Sequence, residues 1–338
     1  MTERMKMQPE RKYFYIFAVL MALTIIVFFS FSFLKKNALA SQEINIVFLV
    51  KSIDTNFTYW QVAIDGARTA KEEYGINLTI SGPIYEIDIS NQIRSIEYYA
   101  FHRPSLVILA ACDYDKLVPA VKKLHSMGVP LITMDSGINS SIPASFIATD
   151  NVKAGEKAGY KISELLSTGD SVVILSHIKD TTSAIDREKG VRNAIGKIGK
   201  VQVTDVFNTD NFIDRAYFIT LNLLKTRPDL RGIVALNETT TIGASRALKK
   251  LGVEKKVYLV GFDSNIEEID DLQNGAIKAL VVQKPFNMGY IAVKTSIDYL
   301  KGKKISSLID TGSSLITLEN MFDEENQKLL FPFSINKQ

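Results

Sequence analysis

The stretch that decides the fold is Ile44-Asn45-Ile46-Val47-Phe48-Leu49-Val50 followed by Lys51-Ser52-Ile53-Asp54-Thr55-Asn56-Phe57-Thr58-Tyr59-Trp60. An apolar run gives way to a polar and aromatic loop, and a helical pattern continues from Trp60 to Tyr74. Further runs repeat the arrangement at Leu106 to Ala111, Leu131 to Met134, Val172 to Leu175, Ile233 to Leu236, Val257 to Phe262 and Ala279 to Val282. The clusters that follow them begin at Lys51, Asp113, Asp135, His177, Asn237, Asp263 and Gln283. Short apolar runs between helical patterns read as buried parallel strands. In open α/β sheets the crevice beyond the carboxyl ends of the strands is where ligands bind. Here those ends carry carboxylates, amides and one aromatic loop, which suits a small ligand rich in hydroxyls.

Helical patterns with apolar residues at three- and four-residue spacing also cover Leu117 to Met127, Val152 to Leu166, Arg215 to Leu224, Ile242 to Leu251 and Ile291 to Leu300. Gly75, Gly128 and Gly252 follow three of the helices as expected C-caps. The strand–helix series closes near Ser145 with the loop Ser136 to Ser141 and restarts after Phe146 to Thr149, so two sheets are expected. With Ala279 to Gln283 and Leu308 to Thr311, the segment Phe146 to Thr149 supplies three crossings for a hinge between two lobes. From Phe322 onward the chain gives no clear pattern.

A chain of 338 residues has room for two domains. Its 40 Lys+Arg against 37 Asp+Glu leave a formal charge of +3 without a block of like charge, which argues against a nucleic-acid footprint. Cys112 is the one cysteine, so no internal disulfide forms, and it is expected as a small buried thiol. His102, His125 and His177 contain no i, i+4 pair, and no metal or cofactor is expected. Phosphate-loop, dinucleotide and G-x-S-x-G signatures are missing, which favours binding over catalysis.

Tyr13 to Leu34 is uncharged and almost wholly apolar, long enough to span a bilayer. Arg4, Lys6, Arg11 and Lys12 precede it and Lys35 and Lys36 follow, a bias that places the bulk of the chain outside the cell. Ala38-Leu39-Ala40 has the form of a cleavage site, but two lysines separate it from the apolar segment, so a single-pass membrane anchor is expected over a cleaved signal. No cysteine lies close behind to carry a lipid. The expected organisation is residues 1–36 as cytoplasmic tip and anchor, 37–43 as tether, 44–146 plus 284–310 as an N-terminal lobe and 147–283 plus 311–338 as a C-terminal lobe.

Three groups of residues stand out for chemistry. Asn56 to Trp60 mix an amide, hydroxyls and aromatics, the composition of a carbohydrate pocket, in which rings stack on sugar C–H faces. Tyr59 and Trp60 are equally placed to open a helix and pack into the core. Asp135 and Asp263 each end an apolar run and precede a serine; they are suited to accept ligand hydroxyls or to cap a helix. A glycosidase pair is the alternative for these two carboxylates. Arg187, at the start of a helix, offers a planar donor fork to a ring oxygen and hydroxyls, or a surface salt bridge to Asp186 or Glu188.

From about Ile44 to Met321 the chain resembles the type I periplasmic sugar-binding proteins, the ribose-binding-protein-like family. The resemblance rests on Asp65-Gly66-Ala67, Ile132-Thr133-Met134-Asp135-Ser136, Ala148-Thr149-Asp150-Asn151, Arg187-x-x-Gly190, Ala235-Leu236-Asn237-Glu238, Val260-Gly261-Phe262-Asp263-Ser264 and Val282-Gln283-Lys284-Pro285, in the family's order. It implies an α/β protein of two doubly wound parallel-sheet lobes joined by a three-segment hinge, closing on a monosaccharide. Asp135, Arg187, Asn237, Asp263 and Gln283 match the family's polar sugar ligands, and the loop Asn56 to Trp60 matches its aromatic clamp, with Asn56 and the rings of Phe57, Tyr59 and Trp60 as its candidates. Ser136, expected beside Asp135 in the site, stands where the ribose binder has an arginine, and the first loop is longer. The next aromatic position falls on Phe212 or Ile213. A pentose or hexose such as xylose or ribose is therefore expected, with an ABC permease or the extracellular domain of a sensor histidine kinase as membrane partner. Repressors of the lac type share the lobes but carry an N-terminal helix-turn-helix, where this chain has an apolar segment.

Overall fold

The computed structural model describes residues 21, 23–25 and 43–331. The chain divides into two units, residues 1–44 and 45–338. Of the first, residues 21 and 23–25 are helical, and the rest of the expected anchor, the cleavage pattern and the tether up to residue 42 lie outside the described residues. No helix among the described residues is long and apolar enough to cross a membrane.

The second unit holds both lobes. In the first lobe, β1 (Asn45–Leu49), β3 (Leu106–Leu109) and β4 (Leu131–Met134) are buried almost throughout, which places them at the centre of a sheet. On one side of them β2 (Asn77–Ser81) is half exposed and forms an edge. On the other lie β5 (Phe146–Ala148) and then β11 (Leu308–Asp310), giving the order β2-β1-β3-β4-β5-β11. Every pairing in this sheet is parallel. The helices α1 (Thr58–Tyr74), α2 (Ile89–His102) and α3 (Val118–Ser126) connect the strands. Val47, Leu49, Val107 and Leu109 meet Ile96, Leu117 and Leu124 in one core.

In the second lobe α4 (Asn151–Leu165), β6 (Ser171–Ser176), α5 (Thr182–Ile198), β7 (Gln202–Asn208), α6 (Ile213–Thr226), β8 (Leu230–Ala235), α7 (Glu238–Leu251), β9 (Tyr258–Phe262), α8 (Ile266–Gln273) and β10 (Ala279–Gln283) repeat the scheme. The strand order is β7-β6-β8-β9-β10 with β12 (Ser313–Ile316) at the far edge. Only β12 runs antiparallel to its neighbour. The unassigned end of the sequence forms α10 (Glu324–Leu330), whose Leu330 joins Met321 in the second core. Both sheets reverse their winding between the first and third strands, at β1/β3 and β6/β8, the switch points where α/β sheets open a crevice.

The chain passes between the lobes after β5, after β10 and between β11 and β12. The first passage lies after Ala148 rather than at the expected 146/147 boundary, because Ile147 and Ala148 pair with β11. At the second, Pro285 opens α9 (Pro285–Leu300), whose first turn needs no proline N–H. Glycines set the approach of the helices behind the crevice. A Cβ on Gly66 would stand 2.0 Å from the Phe286 carbonyl oxygen, and one on Gly190 would stand 2.1 Å from that of Val152. So α1 lies tight against α9, and α5 against α4, which gives the motif glycines a packing role.

Candidate ligand-binding site

The strand ends converge between the lobes. Asp135 and Asp263, at equivalent positions after β4 and β9, both adopt left-handed backbone conformations, with φ of 62° and 76°. Such a conformation is uncommon for a side-chain-bearing residue and is held here by the sheet: each backbone N–H donates to the neighbouring strand, to Ile147 and Val281. The turn aims each carboxylate at the cleft.

Asp135 is 4% exposed and its oxygens are surrounded by donors. Lys51 Nζ lies 2.7 Å from Oδ2, the Tyr59 hydroxyl donates to Oδ1 at 2.8 Å and Ser136 Oγ donates to Oδ2 at 3.0 Å. Burial alone would raise the carboxyl's pKa, but the Lys51 charge and hydrogen bond, Arg187 and Tyr59 together hold it below the ordinary value. Burial works to lower Lys51, and the charges of Asp135 and Glu86 outweigh it, so the ammonium form is favoured. Glu86 accepts from Trp60 Nε1 at 2.7 Å, and its own burial raises it despite Lys51. Tyr59 and Trp60 meet edge to face with centroids 5.1 Å apart.

The second lobe contributes a matching set. Arg187 is 2% exposed; Nε donates to Asn151 Oδ1 at 2.8 Å, one terminal nitrogen donates to the Leu236 carbonyl, and the guanidinium lies over Phe262 at 4.6 Å. Two of its five donors are thus bound in place, which fixes the plane of the fork. Asn237 caps α7 through Oδ1 and donates Nδ2 to Asn211 at 2.6 Å. Asp263 accepts the Glu238 N–H at 3.0 Å and Gln283 Nε2 at 2.8 Å. Its pKa is raised by burial, against the pull of Arg187 and Gln283. Burial and the neighbouring cations Arg187 and Lys51 push His177 well below its usual value, so it is a neutral imidazole. His177 Nδ1 and Gln283 Oε1 are buried without a hydrogen-bond partner.

These groups line a small space of about 30 Å³ formed by Lys51, Phe57, Tyr59, Trp60, Glu86, Asp135, His177, Ser183, Arg187, Asn237, Glu238, Asp263 and Gln283. That is room for about one water molecule. The lobes touch around it: the Tyr114 N–H donates to the Asp180 carbonyl at 2.8 Å, the Gly137 N–H to Thr182 Oγ1 at 3.0 Å, and the Tyr85 and Phe212 rings approach to 5.7 Å. This is a closed arrangement, and a ring-sized ligand enters only if the lobes part. A larger groove of about 870 Å³ runs outside along α1, α8 and α9 with a mostly apolar lining, and shares only Tyr59, Glu238, Asp263 and Gln283 with the small space.

Of the residues expected from the sequence, Tyr59, Trp60, Asp135, Arg187, Asn237, Asp263 and Gln283 line the cavity. Two do not. Asn56 is exposed and turns back onto Asp54 Oδ1, which accepts both its backbone and its side-chain N–H. Ser136 is fully buried behind Lys51, linking Lys51 Nζ at 2.6 Å to Ser183 Oγ at 3.1 Å across the cleft. Arg187 makes no surface salt bridge to Asp186 or Glu188, since it is buried against Asn151. Tyr59 and Trp60 open a helix and line the site at once. Phe57, one of the three rings in the expected aromatic loop, lines the space as well, whereas Lys51, Glu86, His177, Ser183 and Glu238 were not expected as site residues. Lys51 and His177 do open the polar clusters read after their apolar runs, a visible position; Glu86 lies in a loop with no pattern to mark it.

The sequence pattern of the periplasmic binding protein domain matches residues 46–304. The chain belongs to the type I periplasmic sugar-binding proteins, the ribose-binding-protein-like family. It is 28% identical over 278 residues to the ribose import binding protein RbsB of Haemophilus influenzae, covering 82% of this chain and 93% of that protein. A carbohydrate transporter solute-binding protein from Agrobacterium radiobacter, solved with D-arabinose, is 29% identical with a TM-score of 0.82, covering 86% of this chain and 99% of the other. An Agrobacterium vitis solute-binding protein with bound D-fucose is 31% identical, also with a TM-score of 0.82, over 85% of this chain and 99% of the other. By name these relatives are binding proteins of sugar transport, and they lend no support to a glycosidase built on Asp135 and Asp263.

Proposed function

We propose that this protein binds one monosaccharide, a pentose or hexose such as ribose, arabinose or xylose, and presents the closed form to a membrane partner. The observation that carries this is the convergence of two half-sites. Lys51, Asp135 and the Tyr59–Trp60 pair come from one lobe; Arg187, Asn237, Asp263 and Gln283 come from the other. Carboxylates and a guanidinium beside aromatic rings suit a ring of hydroxyls with apolar C–H faces. Lys51 supplies the cation that Ser136 leaves out. Contacts from both lobes exist together only on closure, so a sugar has the differential affinity needed to shift the open–closed equilibrium.

The partner is a sugar permease or the extracellular domain of a sensor histidine kinase. The relatives named as import binding proteins favour the permease. The apolar residues 13–34 favour a tethered protein that meets a stationary partner at the membrane, where effective concentration is high. Calorimetric titration with ribose, arabinose, xylose, glucose and galactose should give one saturable response near micromolar or tighter, about −8 kcal/mol. Solution scattering should show a smaller radius of gyration with that sugar than without. Silence toward every sugar tested would reject the proposal, and pull-down of permease subunits against kinase ectodomain separates the two partners.

A further inference from the structure

The first helix of the first lobe is capped by the second lobe. The N-cap residue of α1 is Phe57, whose side chain accepts no hydrogen bond, and the first turn contains no acidic residue. Its free N–H groups point instead at Glu238, the first residue of α7: Thr58 N donates to Oε1 at 3.2 Å and Tyr59 N to Oε2 at 3.1 Å. Asn265, the N-cap of α8, reaches the same place, donating to Thr58 Oγ1 at 2.7 Å and to Glu238 Oε1 at 3.0 Å. Glu238 is 3% exposed. Its carboxyl therefore satisfies two orphan donors of a helix that belongs to the other half of the molecule.

We propose that Glu238 is a positioning residue that caps α1 across the cleft, and that this cap couples lobe closure to the placement of Tyr59 and Trp60. The inference rests on the sugar-binding reading above and deepens it. Tyr59 carries one of the capped N–H groups and donates its hydroxyl to Asp135, so the cap and the ligand-facing carboxylate are fixed through one residue. When the lobes part, the N–H groups and the carboxyl return to water and the α1 start loses its only side-chain cap. No atom of the ligand is needed for this contact, so it sets how far the lobes favour closure before sugar arrives.

Closure also changes the proton affinity of the group. Around Glu238 stand Asp263, whose Oδ2 accepts the Glu238 backbone N–H, Glu268 on α8 and Tyr59 on α1, with no cation bonded to it. Burial, and then the charge of Asp263, push its pKa up to about 7 in the closed arrangement. In the open arrangement it meets water and returns toward the ordinary value near 4.3. A pKa higher closed than open means that closure takes up a proton, so closure weakens as pH rises from about 5 to about 7 and is flat above. Asp263, Glu86 and Glu268 shift in the same direction and His177 in the opposite one, so the contribution of Glu238 is read as a difference between parent and variant.

The test uses the full chain, with D-ribose and D-arabinose as probes at pH 5 and pH 8, for the parent, Glu238→Gln and Glu238→Asp. Glutamine keeps the size but offers one acceptor, and aspartate keeps the charge but falls a methylene short. The parent's Kd should rise about tenfold or more from pH 5 to pH 8, and this ratio should shrink at least about threefold in both variants, with Kd at pH 5 raised severalfold. Sugar-free scattering should show the parent more extended at pH 8 than at pH 5, and a smaller difference between the two pH values in both variants. Should no sugar bind, the binding reading falls while the sugar-free scattering still decides this one. Equal pH ratios and equal sugar-free radii in all three proteins would overturn the cap as a positioning device, as would loss of binding with an unchanged pH ratio.

Discussion

Replacing Lys51 by methionine keeps most of the side chain's length and removes its charge. Lys51 is 2% exposed, and its ammonium stands 2.7 Å from Asp135 Oδ2 and 2.6 Å from Ser136 Oγ. In the variant Asp135 keeps the Tyr59 and Ser136 hydroxyls and the more distant charge of Arg187 but loses the cation bonded to it. Breaking a buried pair by removing one member costs about 3–5 kcal/mol, because the remaining charge is left uncompensated. For a chain of this size that is a fall in Tm of roughly 4–7 °C. The pH dependence tests the cause. In the parent the depressed pKa of Asp135 stabilises the fold above the ordinary carboxylate range, and this is lost only as pH falls through its native value. In the variant burial dominates and the carboxyl takes up a proton more readily, so the penalty is full at neutral pH and shrinks on acidification. Denaturant unfolding of parent and variant at pH 7 and pH 5 reads both quantities. Adding Asp135→Asn to the variant should recover at least about 1 kcal/mol. A variant within 1 kcal/mol of the parent at pH 7, or a gap that does not narrow toward pH 5, would refute the account of this pair.

Arg187→Ala removes the fork fixed by Asn151 and the Leu236 carbonyl, and should weaken sugar binding by about 2–5 kcal/mol, thirtyfold or more in Kd by calorimetry. Gly190→Ala places a methyl 2.1 Å from the Val152 carbonyl oxygen and forces α5 away from α4, with an expected loss of about 1–3 kcal/mol by thermal unfolding. Trp60 is the one tryptophan and lines the cavity with its Nε1 bonded to Glu86, so a bound sugar should shift its emission saturably, and Trp60→Phe should abolish the signal.

Strands buried on both faces announce themselves as unbroken apolar runs: β1, β3, β4 and β9 lie inside the runs read from the sequence, and β6, β8 and β10 overlap theirs but extend beyond them. The edge strands β2 and β7 were not visible. Their residues are half exposed, and Asn77, Thr79, Gln202, Thr204 and Asp205 interrupt any apolar run. They exist because β1 and β6 offer them free backbone groups, which is a tertiary fact. The antiparallel β12 was unmarked for the same reason, being a four-residue segment fixed by its partner β10.

The sequence by itself determined the α/β architecture and the repetition of two lobes, because burial is written in local pattern, and its family motifs singled out Asp135, Arg187, Asn237, Asp263 and Gln283 as candidate site residues. Tertiary structure alone decided which neighbours of those residues reach the cleft between the lobes. Asn56 and Glu86 are both polar loop residues after a strand; one turns outward onto Asp54 and the other inward to Trp60. Nor does local sequence reveal that Glu238 caps a helix of the opposite lobe, or that Lys51 reaches Ser136 eighty-five residues away. The Glu238 contact exists only where the two lobes meet, and the Lys51 contact because β1 and β4 both flank β3 in one sheet; both depend on distances between segments that no local pattern encodes.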